Sequence, residues 1–351
     1  MSRNKTFVAL LSISMLLVNP GMMNFAHGDD QIVVSSTENN IRIDRYEASD
    51  TAHQHPISRI SAMPIMKGLA AGVATTSNIS QHGGPVMISP NVYVIYYGNW
   101  ASTSCTDSFT QNTNSTSAII NDFISGVGTS SWYGINMQYY SGTTTKTYVT
   151  NVVNYAPSKC ILDNYSQGTS LDAAGKPQVS AVVDFALSHN NLPVDANGIY
   201  FVIPSKDVAV SGFLTSFCGY HSYYNPTVSP TTSVKYSFVG DASNSLGNCA
   251  VQTASSPNSN PAADALISVL AHELVETVSD PMLNAWYDAL GSENADKCAW
   301  TFGTTSAATG GGVKNMHIGS RDYLVQQNWI PTGTQTCGLS YAPAALAATS
   351  V

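Results

Sequence analysis

The segment Ala271-His272-Glu273-Leu274-Val275-Glu276-Thr277-Val278-Ser279-Asp280 carries the residues best suited to chemistry. His272 and Glu276 are spaced i, i+4, so on a helix they share a face and can hold one ion between them. Glu273 comes directly after the histidine and would reach a water on that ion. Glu293 and Asp296 supply further carboxylates downstream. A His272–Glu276–Glu293 set would leave one position open for water, as a catalytic Zn2+ site requires. Glu273 would then be the general base and Asp296 would orient a ligand, or Asp296 and Glu293 would exchange those two roles. Asp280 is a further supporting group or alternative ligand. Two carboxylate ligands weaken the Lewis acidity of the ion, so slow hydrolysis or a structural ion, Ca2+ or Mn2+ included, is the competing expectation.

The motif needs a helix, and the sequence provides its ends. Asn260 is placed as N-cap and Pro261 as the first helical residue, where the missing N–H costs nothing. Leu266, Ile267, Leu270, Leu274 and Val278 form the apolar stripe, and Pro281 stops the helix. The arrangement resembles the zincin helix with a glutamate in place of the second histidine. Ahead of it, Asn91–Gly98, Tyr148–Val153, Asn197–Pro204 and Tyr236–Gly240 read as strands, and Thr116–Gly126 and Val179–Ser188 as helices. That order predicts an α/β or α+β fold, a single three-layer globular domain tied by disulfides, with the metal helix in its C-terminal half. His317 and Tyr287 could line a cleft. His221 follows an aromatic and cysteine cluster and reads as a packed or loop histidine, and His82 opens a Gly-Gly-Pro turn. A serine nucleophile has no support, since no G-x-S-x-G occurs.

Arg3 and Lys5 precede the apolar run Phe7 to Val18, which is too short to span a bilayer, so residues 1–26 read as a secretory signal ending at Ala26. Its loss takes the net charge from −8 to −10, because it removes two basic residues and no acidic ones. With no basic stretch, binding of nucleic acid or of an anionic membrane is disfavoured, and no later segment reads as a membrane span. Asn78, Asn114 and Asn164 are N-glycan acceptors if the host glycosylates. Residues 27–80 are polar and small, and read as a flexible arm or pro-like segment. Residues 81–337 form the globular part, and 338–351 a flexible tail. Cys105, Cys160, Cys218, Cys249, Cys298 and Cys337 all fall in the mature chain and suit an oxidising compartment. Six cysteines allow 15 pairings, and sequential pairing is the expectation.

Several ordered segments together resemble the EXORDIUM (phosphate-induced protein) family. They are His82-Gly83-Gly84-Pro85-Val86, the run from Asn91 to Gly98, Ile119-Ile120-Asn121-Asp122-Phe123 and Gly198 to Val202. They continue with Phe217-Cys218-Gly219-Tyr220-His221, Ile267 to Glu276, Asn284-Ala285-Trp286-Tyr287, Glu293 with Asp296 and Cys298, and Tyr323 to Gln326. Asp280, Asn294, Lys297 and the surroundings of Cys218 depart from the plant pattern. The resemblance implies a secreted, extracellular or cell-wall protein tied in plants to growth. The leading expectation is a secreted zinc-dependent, peptidase-type hydrolase acting on peptide. The alternative is a non-catalytic protein with a structural ion that binds cell-wall glycan or a protein partner, for which 18 Tyr and 5 Trp offer stacking surfaces.

Overall fold

The computed structural model describes residues 60–65, 78–100, 102–110, 114–333 and 335–341, together with the backbone of the strands within 22–47. The expected signal boundary at Ala26 and the tail beyond 341 lie outside the residues described in full.

The β-branched and aromatic runs pair into one large sheet. Its order is Met22–His27, Asp30–Thr37, Asn40–Glu47, Ile60–Pro64, Phe217–Tyr224, Val234–Val239, Gly198–Pro204, Asn91–Tyr97 and Cys160–Asp163. Gly198–Pro204 lies at the middle of the core strands, parallel to Asn91–Tyr97 on one side and to Val234–Val239 on the other. Cys160–Asp163 extends the parallel part. Phe217–Tyr224 pairs antiparallel with Val234–Val239, and Ile60–Pro64 pairs antiparallel with Phe217–Tyr224.

Parallel strands need helical crossovers, which cover the sheet. Side-chain alternation therefore divides the core in two. On one face Val92, Val94, Tyr96, Ile199, Phe201 and Ile203 pack with the helices Thr116–Val127 and Pro261–Ser279. On the other, Tyr93, Ile95, Tyr97, Tyr200 and Val202 pack against Val179–Ser188. The long helix follows Val234–Val239 in the chain and lies under Phe217–Tyr224 and Val234–Val239.

Disulfides join Cys105 to Cys160, Cys218 to Cys249 and Cys298 to Cys337, which is the sequential pairing. Two expectations change. The strand read over Tyr148–Val153 is only the two-residue Thr147–Tyr148, and the sheet strand in that connection is Cys160–Asp163. Asn151 and Asn154 explain this, since their side chains bond to loop carbonyls of Ser130 and Ser89 and so favour an irregular path. The arm read over 27–80 contributes Ile60–Pro64 as a buried strand, with Ala62 and Met63 fully covered. No helix of the described residues is long and apolar enough to cross a membrane.

Candidate metal centre

The long helix starts as its sequence requires. The Asn260 side chain accepts the Ala263 N–H at 3.2 Å, and Pro261 fills the first position. From Ala263 to Ser279 every residue is buried, polar ones included. Such burial is costly for His272, Glu273 and Glu276 unless partners are supplied.

Part of the supply comes from within the helix and from the loop beyond it. His272 Nε2 lies 3.0 Å from Glu276 Oε1 and 3.5 Å from Asp296 Oδ1. The Asp296 N–H donates to Glu276 Oε1 at 2.9 Å, and the Glu293 N–H donates to Asp296 Oδ2 at 3.3 Å. Asn294 Nδ2 donates to the helix carbonyl of Val275 at 3.1 Å, which docks the loop. Cys298, next but one to Asp296, ties the same loop to Cys337.

The other side of the cluster is the sheet. His221, on Phe217–Tyr224, sits with Nδ1 3.4 Å from Glu273 Oε2 and 3.6 Å from Glu276 Oε2. Its Nε2 lies 3.7 Å from Glu293 Oε1. The helix comes this close because residue 219 is glycine. A Cβ there would stand 2.5 Å from Val269 Cγ1 and 3.0 Å from Glu273 Oε1.

The side-chain donors therefore fall into two sets that share Glu276: His272, Glu276 and Asp296, and His221, Glu273 and Glu276. Of the expected ligands, His272 and Glu276 are brought together with Asp296, while Glu293 faces His221 instead. Asp296, and not Glu293, is thus the loop carboxylate beside His272, which is the arrangement with those two roles exchanged. Asp280 caps the helix turn, accepting the N–H groups of Asn284 and Ala285, each at 2.6 Å. With Glu293, Leu283, Tyr287, Gly291, Ile60 and Ser61 it borders a small cavity of about 20 Å³. Tyr287 stacks on His82 at 3.7 Å between ring centroids. His317 does not join the centre. It is exposed and pairs with Asp322 Oδ1 at 2.8 Å, on the hairpin Met316–Tyr323. His221 is the residue that sequence reasoning placed elsewhere. Alternation through Phe217–Tyr224 puts 219 and 221 on the helix face, which was the available signal.

Burial and crowding set the charges. Burial pushes Glu273 up to about 7, against the pull of His221. Burial and the neighbouring Glu276 carboxylate raise Asp296 to about 6. Burial also acts upward on Glu276, but attraction to His272 and His221 outweighs it and holds Glu276 at about 2. Burial opposes charging of both imidazoles. The carboxylates win, chiefly Glu293 at His221 and Glu276 at His272, and both rings are held well above their ordinary value. Even so, His221 Nε2, His272 Nε2, Glu276 Oε2 and Asp296 Oδ1 are met only by the ion-pair contacts above, and His272 Nδ1 and Glu273 Oε1 have no hydrogen-bond partner. Each such buried atom costs about 1–3 kcal/mol. The neighbouring cation, Lys297, is paired with Asp288 at 3.1 Å.

A divalent ion fits this donor set. Zinc bonds of about 2.0–2.1 Å in a tetrahedron put neighbouring donors roughly 3.3 Å apart. The separations of 3.0 and 3.5 Å around His272 Nε2 bracket that value.

Fold and cluster together define a disulfide-tied α/β protein with a buried histidine–carboxylate cluster of a composition that could hold a metal ion. The chain belongs to the phosphate-induced protein 1 family, whose conserved region matches residues 79–337. It is similar to Protein EXORDIUM-like 5 of Arabidopsis thaliana, 27% identical over 303 residues, covering 74% of this chain and 77% of that protein. Protein EXORDIUM-like 3 of the same plant is 29% identical over 296 residues, covering 74% of this chain and 82% of the relative. No solved structure matches the chain significantly.

Proposed function

We propose that this protein is an extracellular, zinc-dependent hydrolase of the peptidase type, folded as a three-layer domain around its metal helix. The observation that carries the reading is the His272, Glu276 and Asp296 donor set, whose ligand atoms lie within 4.8 Å of one another, with Glu273 one residue along the same helix. His272, Glu276 and Asp296 would hold the ion, and Asp280 and Glu293 would shape its surroundings. When bound, the ion would supply Lewis acidity and bring the pKa of a water towards ~7. In amide hydrolysis the C–N bond breaks, the water oxygen goes to the acyl carbon, and one proton must reach the leaving amine. Glu273 is the group placed to carry that proton. His221 holds its carboxylate in place, and burial keeps its proton affinity near neutrality. The three disulfides, the N-terminal signal pattern and the EXORDIUM-like relatives support an extracellular setting.

A second reading has its own support. All the cluster side chains are buried, and the cavity that reaches them has room for about one water. Elsewhere Tyr140, Tyr148, Lys146 and Trp286 line an open groove of about 500 Å³, suited to stacking on a sugar. In this reading the ion is structural and the protein binds glycan without turning it over. Metal analysis of the purified protein, with His272→Ala and Glu273→Gln beside it, separates the two. The hydrolase reading expects about one zinc per chain, lost in His272→Ala and kept in Glu273→Gln, with peptide turnover lost in both. Unchanged turnover in Glu273→Gln would remove that residue from catalysis. No stoichiometric zinc would remove the hydrolase.

A further inference from the structure

Resting on the hydrolase reading, we propose that Phe217–Tyr224 is the substrate-binding edge of the sheet, that it takes an extended peptide, and that Ile60–Pro64 is its resident, substrate-like occupant. The pairing supplies the argument. Ile60–Pro64 runs antiparallel to Phe217–Tyr224 with Pro64 opposite Phe217, Met63 opposite Gly219, Ala62 opposite Tyr220 and Ser61 opposite His221. His221 is the sheet residue of the cluster, against Glu273 and Glu276. The segment therefore runs beside the sheet residue of the centre, with Ser61 directly opposite His221. Ser61 and Ile60 close the small cavity that Asp280 and Glu293 border from the protein side.

The way the segment is held matches peptide capture at a sheet edge, where backbone bonds give affinity and alternate side chains enter pockets. The Pro64 carbonyl accepts Trp300 Nε1–H at 3.1 Å, and the Ile65 N–H donates to the Ser216 carbonyl at 3.4 Å. Met63 points to the helix side and is fully buried, with its sulfur 3.6 Å from Gln326 Nε2. Two residues before it, Ser61 is small where the strand passes the cluster. The far side of the segment pairs with Asn40–Glu47, so the occupant belongs to the N-terminal strands. A substrate of the same type is an extended peptide with a small residue opposite His221 and a long unbranched apolar residue two positions towards its C-terminus. While Ile60–Pro64 is seated, that peptide is excluded.

The test uses the full chain with a recognition sequence for a specific protease placed between Ile65 and Asn78. Zinc content, melting temperature and hydrolysis of an extended fluorogenic peptide library are read before and after the cut. Met63→Glu, which expels the segment without a cut, is measured in parallel. A synthetic peptide of sequence Ile-Ser-Ala-Met-Pro-Ile is the binding probe. The expected result is stable, zinc-loaded protein whose hydrolysis rises about a hundredfold, the scale for an edge otherwise open in ~1% of molecules. The synthetic peptide should bind the cut chain and suppress that activity, and Met63→Glu should be active uncut. Equal hydrolysis before and after the cut overturns the proposal and leaves the hydrolase standing. Loss of fold on cutting, together with inactive Met63→Glu, makes the strand a structural part of the sheet and also overturns it. Binding of the probe by zinc-loaded cut chain without hydrolysis upholds the peptide edge and refutes the hydrolase.

Discussion

The tightest constraint among the individual residues is at Gly219. Only a missing side chain lets Val269 and Glu273 approach the strand, and that approach brings His221 to the two glutamates. Gly219→Ala should therefore push helix and strand apart. It should cost about 1–3 kcal/mol by overpacking and also weaken zinc binding, measured by urea unfolding and by competition with a chromophoric chelator. The cluster also fixes a sign for pH. In the metal-free protein, burial raises Asp296 and Glu273, and neighbouring carboxylates raise His221 and His272. The folded state then keeps protons that the unfolded chain has released, so these groups lose stabilising effect as pH rises from about 4 through 7 and above. Glu276 works the other way, its contribution being lost only as pH falls towards about 2. Zinc binding would displace those protons, so its affinity is expected to rise over the same range. Calorimetry should show the melting temperature falling with pH in chelator-treated protein and rising in zinc-loaded protein. His272, Glu273 and Glu276 were legible because i, i+4 spacing on a capped helix is a local pattern. The pairing of Asp296 with them, and of His221 with Glu273, depends on how a loop and a strand dock on that helix, which local spacing does not encode.

At the scale of elements, the long helix and the two crossover helices were readable from apolar spacing and caps. The central strands Asn91–Tyr97 and Gly198–Pro204 were readable from their unbroken β-branched and aromatic runs. Phe217–Tyr224 was not, because its sequence mixes glycine, cysteine, histidine and serine with aromatics, and its polar residues His221 and Ser222 are buried rather than facing solvent. Ile60–Pro64 was missed because a five-residue strand gains its identity from the edge it pairs with. The disulfides give an element-level test. Cys105–Cys160 and Cys298–Cys337 close loops of 55 and 39 residues, so by chain entropy each contributes about 4 kcal/mol. Only the second anchors the turn that carries Asp296. Replacing Cys298 and Cys337 by alanine should weaken zinc binding well beyond the effect of replacing Cys105 and Cys160, at similar losses of thermal stability. Asn260→Ala should cost about 1 kcal/mol of stability through the lost cap and leave zinc affinity unchanged.

Over the whole molecule, the centre lies between a sheet and a helix that cover it on both sides and is approached only by a cavity of about one water, so ion exchange is expected to need opening of the structure. Chelator should strip zinc slowly from the intact chain and much faster in mild urea or after the cut between Ile65 and Asn78, as followed by zinc release to an indicator dye. The acidic surface, at −8 overall with only 14 basic residues, favours approach of cations over that of anionic polymers.

The parallel heart of the sheet also governs the order of assembly. Gly198–Pro204 completes its pairing only when segments roughly a hundred positions upstream and several dozen downstream have found it. The donors of the cluster, from His221 to Asp296, come from a strand of this sheet, the long helix and the turn after it, so they are expected to meet once the sheet has formed. A bound zinc would then act as a latch on a finished structure and not as a template for making one. Its signature in stopped-flow experiments should be a chevron whose refolding limb is the same with and without zinc, while the unfolding limb drops by the full stabilisation that the ion confers.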